Sequence, residues 1–431
     1  MEEAENHGAR HPRERMSRAS PRFPERPAPR GGPLSGGAVL LNGKLVTTPF
    51  CLEHASPKGA RLAPIGGTLG PARVRIDEVG RAGTSQDLHI INAMGVAIGD
   101  SIVGLQALHI LKRRYPGLRL HVYRSPYTPE LNGLYRRVPF LTTVAELPVT
   151  LDAFSGGHVV DLADFMFRPG FARLPMIDYF LTAVGLDPAS VEPADKNPDW
   201  LSEIRHPVLP PHPDYVLFCP SASTPLRSIP SRVRREIVEA VCRNWRGIVL
   251  GFGPVDHPSY RDVSRSSPNL ETYLAWLRDA RAVVSTDTSA VHIAAGFRRP
   301  TLAYFVSIRP SLRSAYYPTV SSVDLVHEAL NGRHSSDDPG QLALVARRWD
   351  DYVGDGMAAR DVEEWFGSGY GAYPASEAVL RRMTRTLAQE AAPRVDRLDV
   401  CRRADDALRV SSRHGSGGRK PPGGEGPGSP A

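Results

Sequence analysis

The sequence is poor in cysteine and has no long apolar segment. Its four cysteines are scattered and form no Cys-x-x-Cys pair, which argues against a disulfide framework and a zinc site and favours a reducing compartment. No apolar run approaches the roughly 20 residues that a membrane-spanning helix needs. The first residues contain no apolar stretch followed by a cleavage site. We therefore expect a cytoplasmic protein.

A concentrated basic region is also lacking, although the net charge is +7. Two of the excess positive charges fall within residues 1–36 and three within 394–431, so the middle of the chain is close to balance. A nucleic-acid interface concentrates basic residues within a folded domain. We therefore predict no nucleic-acid partner. The basic ends would allow a modest peripheral attraction to the cytoplasmic face of an anionic membrane.

Both ends of the chain have a composition typical of disorder. Residues 1–36 are rich in Pro, Arg, Gly and Ser without hydrophobic periodicity, and residues 394–431 are mostly of the same kind. Residues 37–86 are predicted to form a small β appendage or a poorly ordered segment. Within it, residues 39–46 resemble a hairpin with an Asn-Gly turn, and residues 72–79 could add another strand.

From residue 87 the pattern changes to alternating strands and helices, which predicts an α/β fold made of two tandem doubly wound, Rossmann-like domains with a cleft between them. The first domain covers 87–190, and a Pro- and acid-rich linker covers 191–213. The second domain covers 214–375, followed by a closing helix over 376–393. The predicted strands and helices are 88–92, 101–114, 118–124, 158–162, 176–186, 215–219, 231–245, 247–252, 270–280 and 282–285.

The most informative stretch is 279–305, which predicts a buried strand, a polar turn, a short helix and a second strand opened by Pro300. Ligands of open α/β sheets lie beyond the carboxyl ends of the strands, where helix N-termini attract anions such as phosphate. Asp287 could fix a sugar hydroxyl there, beside Thr288, Ser289 and His292. The alternative is that Thr288 or Ser289 merely caps the helix.

The first strand-to-helix turn of the first domain runs from Gly95 to Ser101. Its two glycines let the backbone pass close to a substrate, and Asp100 could act as a general base facing the cleft. The alternative is that Asp100 is a local N-cap. The glycine spacing is not Gly-x-Gly-x-x-Gly, so we predict no NAD site.

Two further turns follow strands of the second domain. The first clusters hydroxyls, including Ser223 and Thr224, with Arg227, a combination that suits a pyrophosphate unless the turn is merely a Ser/Thr-rich loop. The second contains Gly251 and would form a cleft wall near a nucleotide base, although a lone Gly-x-Gly is weak evidence and a simple tight turn is the favoured interpretation. Asp287 and His292 are too few ligands for a metal site, so none is predicted.

Aromatic side chains interleave with arginines just past the last clear strand of the second domain. They could line the donor or acceptor pocket, or they could be ordinary packing residues. The residues concerned are Tyr304, Phe305, Arg309, Arg313, Tyr316 and Tyr317.

Taken in order, these turns resemble the heptosyltransferase family (glycosyltransferase family 9), which transfers heptose from ADP-heptose to lipopolysaccharide. The family's Leu-Gly-Asp turn and its later Leu-Lys-x-x-Tyr-Pro are matched by residues 98–100 and 111–116. Its Asn-Pro-Gly-Ala-Ser turn and following Lys correspond to 219–223 and Arg227. Its donor motif, Asn-Asp-Thr-Gly-x-x-His-Leu-Ala-Ala, corresponds to 286–295, with Ser289 in place of the glycine.

The resemblance covers roughly residues 88–390 and implies a GT-B fold. It implies that Asp100 is the catalytic base, that Asp287 contacts the donor sugar, and that Thr288, Ser289 and His292 lie near the diphosphate. Ser221 also replaces a family glycine, and Val306 stands where the family usually has Gly.

We therefore predict an inverting, metal-independent glycosyltransferase without a cofactor. It would transfer heptose or a related sugar from a nucleotide diphosphate sugar, ADP-heptose-like, to a cell-surface glycan, a lipid-linked acceptor or a protein. The donor site would comprise Ser223, Thr224, Arg227, Gly251, Asp287, Thr288, Ser289 and His292. Two alternatives remain open: a non-catalytic nucleotide-sugar-binding protein and a nucleotide-sugar epimerase on the same scaffold.

Overall fold

The computed structural model describes residues 37–55, 59–65, 86–168, 170–210 and 212–369. Within these ranges the chain forms three β-sheets, of which one is antiparallel and two are parallel. The predicted disordered ends, the strand over 72–79 and the closing helix over 376–393 lie outside the described residues. No helix within the described ranges is long and apolar enough to cross a membrane.

The small antiparallel sheet begins with the predicted hairpin. Its turn residues Asn42 and Gly43 have φ values of 52° and 69°, the left-handed conformation that an Asn-Gly hairpin turn requires. The strand order is β3-β1-β2-β7, so β7, which comes from the following α/β unit, pairs with β2 and joins this sheet to the rest of the chain. The elements are β1 (Val39–Leu41), β2 (Leu45–Thr47), helix α1 (Pro49–Ala55), β3 (Leu62–Pro64) and β7 (Val149–Thr150).

The N-terminal α/β unit is built on a four-stranded parallel sheet in the order β6-β5-β4-β8. The first strand of this sheet, β4, therefore lies between the second, β5, and the fourth, β8, and the strand order reverses between β4 and β8. Its apolar strands are covered by helices whose buried residues form one continuous core with the sheet. The elements are β4 (Asp87–Ile91), α2 (Ile98–Arg114), β5 (Arg119–Arg124), α3 (Pro129–Arg136), β6 (Thr143–Glu146), β8 (His158–Asp161) and α4 (Met176–Ala183).

The C-terminal α/β unit has six parallel strands in the order β11-β10-β9-β12-β13-β14, the order of a dinucleotide-binding Rossmann fold. The expected two doubly wound units, the basis of a GT-B architecture, are therefore confirmed. The elements are β9 (Tyr215–Cys219), α5 (Ser231–Asn244), β10 (Ile248–Gly251), β11 (Tyr260–Asp262), α6 (Leu270–Asp279), β12 (Ala282–Thr286), α7 (Ser289–Gly296), β13 (Thr301–Phe305), β14 (Val320–Asp324), α8 (Pro339–Gly354) and α9 (Met357–Gly367).

The segment between the units is more ordered than its Pro- and acid-rich sequence suggested. A short 3₁₀ turn at Pro193–Lys196 packs against α2, and a second one at Asp199–Glu203 packs against both α2 and α7. The buried Trp200 donates its indole N–H to the carbonyl oxygen of Ile102 in α2, at 2.9 Å. Asn197 donates to the carbonyl oxygen of Ala295 in α7, at 3.0 Å. The segment therefore packs against both units and ties the two helices together.

Candidate functional site

The site lies where the two reversals of strand order face each other. In the C-terminal unit, β9 and β12 are neighbours, and the loops that follow them carry Ser223 and Asp287. In the N-terminal unit, the loop after β4 leads into α2. A Cβ placed on Gly99 would lie 3.2 Å from Cδ2 of His292 and 3.7 Å from the Cα atom of Ser289. The starts of α2 and α7 therefore touch, and only a glycine fits at position 99 without displacing His292.

Asp100 is the third residue of α2 and is partly exposed. The N-cap of that helix is Ala97, so the interpretation of Asp100 as an N-cap is wrong. The helix begins three residues earlier than predicted because its start has no side-chain cap that the sequence could reveal. Burial raises the pKa of Asp100 to about 6, while the charges of Arg313 and Arg227 work to lower it. A carboxylate with such a pKa is well matched to accept a proton near neutral pH.

Asp287 is almost fully buried and lies against Arg227. Nη1 of Arg227 donates to the carbonyl oxygen of Asp287 at 3.0 Å and lies 3.4 Å from its Oδ2, and Nη2 donates to Oγ of Ser223 at 2.7 Å. Burial works to raise the pKa of Asp287, but Arg227, Arg313 and two histidines lower it below its usual value. Asp287 is therefore held as a carboxylate, in a fixed orientation.

The start of α7 carries the two predicted hydroxyls. Thr288 is the N-cap residue, but its side chain makes no capping hydrogen bond. Ser289 is the first helical residue, and its Oγ lies 3.5 Å from the hydroxyl of Tyr273 in α6. Both residues are partly exposed. The capping alternative is therefore not supported for Thr288, whose hydroxyl remains available to a ligand.

His292 is buried one turn into α7, and its Nδ1 lies 2.8 Å from the hydroxyl of Tyr317. Burial lowers the pKa of His292 to about 4, so the ring is neutral at pH 7. Its other edge faces Gly99 of the N-terminal unit. His292 therefore connects the two units without adding charge. The residues that the structure describes contain no group of three or more His, Cys, Asp or Glu suited to a metal ion.

Two residues at the site, His334 and Phe171, were not assigned a role from the sequence. Thr224 donates its hydroxyl to the carbonyl oxygen of His334, at 2.9 Å. Nε2 of His334 lies 3.3 Å from Nη2 of the buried Arg313. Phe171 of the N-terminal unit stacks on the His334 ring with centroids 6.1 Å apart and lies 5.4 Å from the Arg313 guanidinium carbon. Arg313 belonged to the arginine and aromatic run, whereas His334 and Phe171 gave no local signal.

Gly251 is the last residue of β10 and is buried. A Cβ there would lie 2.4 Å from the carbonyl oxygen of Phe218 and 2.6 Å from the hydroxyl of Tyr260. Packing therefore explains this glycine without a ligand, and its donor contact stays a prediction. In the neighbouring turn, Ser221 accepts a hydrogen bond from Nη2 of Arg234 at 3.2 Å.

The arginine and aromatic run has divided roles. Tyr304 and Phe305 are fully buried in β13, as the packing alternative requires. Arg309 points to Asp324, at 3.3 Å, and to Glu328. Tyr316 donates its hydroxyl to Oδ2 of Asp178 in α4, at 2.6 Å, and Tyr317 contacts His292. Only the second half of the run therefore faces the N-terminal unit or the site.

No family model and no curated protein matches the chain. Among solved structures, the Escherichia coli ADP-heptose lipopolysaccharide heptosyltransferase II is 14% identical, with 61% of this chain and 98% of that chain covered and a TM-score of 0.39. A glycosyl transferase family 9 protein from Veillonella parvula is 13% identical, with 57% and 87% covered and a TM-score of 0.39. The dodecameric iron-containing heptosyltransferase TibC, in complex with ADP-D-β-D-heptose, is 12% identical, with 67% and 77% covered and a TM-score of 0.46. At these TM-scores the similarity assigns no role to any residue.

Proposed function

We propose that the chain is an inverting glycosyltransferase of GT-B architecture that uses a nucleotide diphosphate sugar as donor. The observation that carries this proposal is the meeting of Asp100 from one α/β unit and Asp287 from the other in a single cluster with Arg227 and Arg313. Such a cluster can hold a charged donor on one side and an acceptor hydroxyl on the other. The matched motifs favour heptose or a related sugar and an ADP-heptose-like donor.

The donor would lie mainly on the C-terminal unit, in the reversal of strand order between β9 and β12. The diphosphate would meet the start of α7, with the hydroxyls of Thr288 and Ser289 and the loop carrying Ser223 and Thr224. Asp287 would accept hydrogen bonds from the sugar hydroxyls, since Arg227 fixes its orientation. His292 and Gly251 would line the donor site without supplying charge.

Asp100 would act as the general base. It would take the proton from the acceptor hydroxyl while that oxygen forms a bond to the anomeric carbon of the donor sugar. On the opposite face of the sugar, the bond to the diphosphate oxygen would break, and its electron pair would stay with the diphosphate. Hydrogen-bond donors that are already in place to meet this growing negative charge lower the barrier to the reaction. The acceptor would be a cell-surface glycan, a lipid-linked sugar or a protein.

We propose that the reaction needs no metal ion, because two guanidinium groups and a helix start supply positive potential for the leaving diphosphate. Full activity after treatment with EDTA is expected. Loss of activity that added Mg²⁺, Mn²⁺ or Fe²⁺ restores would contradict this part of the proposal.

The proposed function is tested by a thermal-shift screen of the full chain against ADP, GDP and UDP and their sugar conjugates. A ligand that binds the folded state raises the melting temperature by mass action. A donor that binds should then lose its sugar to an acceptor present in a panel of glycans. Failure of every nucleotide to stabilise the protein would overturn the donor assignment. Binding without turnover would instead favour the non-catalytic binding protein, and isomerised sugar nucleotide without acceptor would favour the epimerase.

A further inference from the structure

Arg313 is a buried cation at the centre of the site, with a relative exposure of 7%. Its Nη1 donates to the carbonyl oxygen of Leu312, at 3.2 Å, and its Nη2 donates to Nε2 of His334, at 3.3 Å. Both partners are uncharged, since burial lowers the pKa of His334 to about 3. Within the described ranges, no carboxylate forms an ion pair with Arg313 at 4.0 Å or less. Buried charges in proteins are ordinarily paired, so this guanidinium is unusual in having no direct ion-pair partner within those ranges, although Asp100 and Asp287 act on it over a longer range.

The neighbouring Arg227 differs in this respect. Its Nη1 is taken by the backbone and side-chain oxygens of Asp287, and its Nη2 by Ser223. A guanidinium has five N–H donors; both terminal nitrogens of Arg227 donate to the protein, while its buried Nε–H has no partner among the described residues. Arg227 is therefore suited to orient Asp287, whereas the charge of Arg313 has no direct partner to neutralise it.

The position of Arg313 is fixed by contacts on both sides. Its backbone N–H donates to the carbonyl oxygen of Pro310, at 2.9 Å, within a short 3₁₀ turn. Four residues later, Tyr317 is hydrogen-bonded to His292 of α7. From the N-terminal unit, the ring of Phe171 lies 5.4 Å from the guanidinium carbon. Arg313 is thus held between the start of α7 and the opposing unit, within electrostatic reach of both Asp100 and Asp287.

We propose that Arg313, rather than Arg227, is the guanidinium that binds the diphosphate of the donor. This inference rests on the proposed function, because it assigns the leaving group of that reaction to a particular side chain. The planar fork of an arginine suits two phosphate oxygens at once. Phe171, on the opposite side of the guanidinium, would help to exclude water from that contact.

The test measures binding by calorimetry to the full chain, with the diphosphate among ADP, GDP and UDP that binds best and with the matching nucleoside. Arg313→Gln should weaken binding of the diphosphate by about 10- to 100-fold and leave binding of the nucleoside unchanged. Arg313→Lys should give an intermediate loss, because the charge remains without the fork. The matched control is Arg309→Gln, an arginine of the same segment that faces Asp324 and Glu328, which should change neither affinity.

Two results would overturn the inference alone. One is a diphosphate affinity that Arg313→Gln leaves within about twofold of wild type. The other is an equal loss for nucleoside and diphosphate, which would indicate a structural role. If Arg313→Gln does not fold, as judged by circular dichroism, unchanged diphosphate affinity in Arg313→Lys has the same meaning. Wild-type protein that binds none of the three diphosphates would overturn the proposed function and this inference with it.

Discussion

The two α/β units share a strand order around their reversal points but carry different chemistry there. In each unit the first strand lies between the second and the fourth. The N-terminal reversal presents the carboxylate of Asp100, in the first turn of α2. The C-terminal reversal presents a carboxylate, hydroxyls, two arginines and a helix start. The same backbone arrangement can therefore serve a proton acceptor on one side and an anion site on the other.

Each reversal also has one arginine that fixes its loop, and these two arginines are not equivalent. Arg124, at the end of β5, donates to the carbonyl oxygens of Ala93 and Gly95 and to Oδ1 of Asn132, with its guanidinium carbon 3.9 Å from the Tyr135 ring centroid. Arg227 instead holds a carboxylate. The N-terminal loop is thus fixed by neutral acceptors beneath it, and the C-terminal loop by an ion pair within the site.

The sharpest test of this division of roles is Asp100→Asn. An amide cannot accept the proton, so turnover should fall by about 100- to 10,000-fold. Affinity for the nucleoside diphosphate should stay close to that of wild type, because the donor would be held by the other unit. Steady-state kinetics and calorimetry measure the two quantities. The control is Asp195→Asn, a surface carboxylate paired with Arg113. Unchanged turnover in Asp100→Asn would remove this residue from the mechanism.

Arg124→Met tests the loop that leads to Asp100. The substitution leaves buried carbonyl groups without donors, so the free energy of unfolding should fall by about 3 kcal/mol. Urea unfolding followed by circular dichroism measures this loss. The matched control on the same strand is Arg119→Met, which breaks a half-exposed pair with Asp87 and should cost clearly less than Arg124→Met. Equal losses in the two variants would show that Arg124 does not specially fix the loop.

The regular elements could be predicted because buried parallel strands are short apolar runs bounded by turns. Residues 282–285 were predicted as a strand, and β12 covers Ala282–Thr286. The positions of Asp287 and of the start of α7 could be predicted because both come directly after that strand. The start of α2 was missed because Ala97 gives no capping signal.

Contacts between residues far apart in the sequence could not be predicted from the sequence. Phe171, Arg313 and His334 are brought together by the packing of two units, and no spacing in the sequence links them. The order of the segment around Trp200 was missed for the same reason, because its partners lie in α2 and α7. The roles of the predicted site residues themselves remain predictions, which the variants described here test.

Arg227→Ala addresses the C-terminal side of the comparison. It removes the side-chain partner of Asp287 and one positive charge, so affinity for a nucleotide diphosphate sugar should fall by about tenfold. Binding of the sugar-free diphosphate should fall less, since we assign that group to Arg313. The control is Arg232→Ala on α5, whose guanidinium pairs with Asp350 at the surface. An equal loss of affinity for both ligands would indicate that Arg227 binds the diphosphate and does not act by orienting Asp287.

The pH dependence of kcat/KM separates the two carboxylates. Burial raises the pKa of Asp100 to about 6, whereas the pKa of Asp287 is lowered, so of these two carboxylates Asp100 alone should titrate between pH 5 and 7. An acid with a pKa of 6 is about one-tenth ionised at pH 5 and about nine-tenths at pH 7, so activity should fall about tenfold over that range. Neutral His292 and His334 do not titrate there, because their pKa values are about 4 and about 3.

Protonation of Asp100 would not unfold the protein, so unfolding cannot explain the expected decrease of kcat/KM at acidic pH. A carboxyl group whose pKa is raised on folding binds its proton more tightly in the folded state, so its protonation stabilises the fold as the pH decreases. Circular dichroism at each pH provides the check. Asp361→Asn is the matched control, because burial raises the pKa of that distant carboxyl in α9 to about 6 as well. If Asp361→Asn abolishes the acid limb of the profile, or if wild type lacks one, Asp100 is not the base.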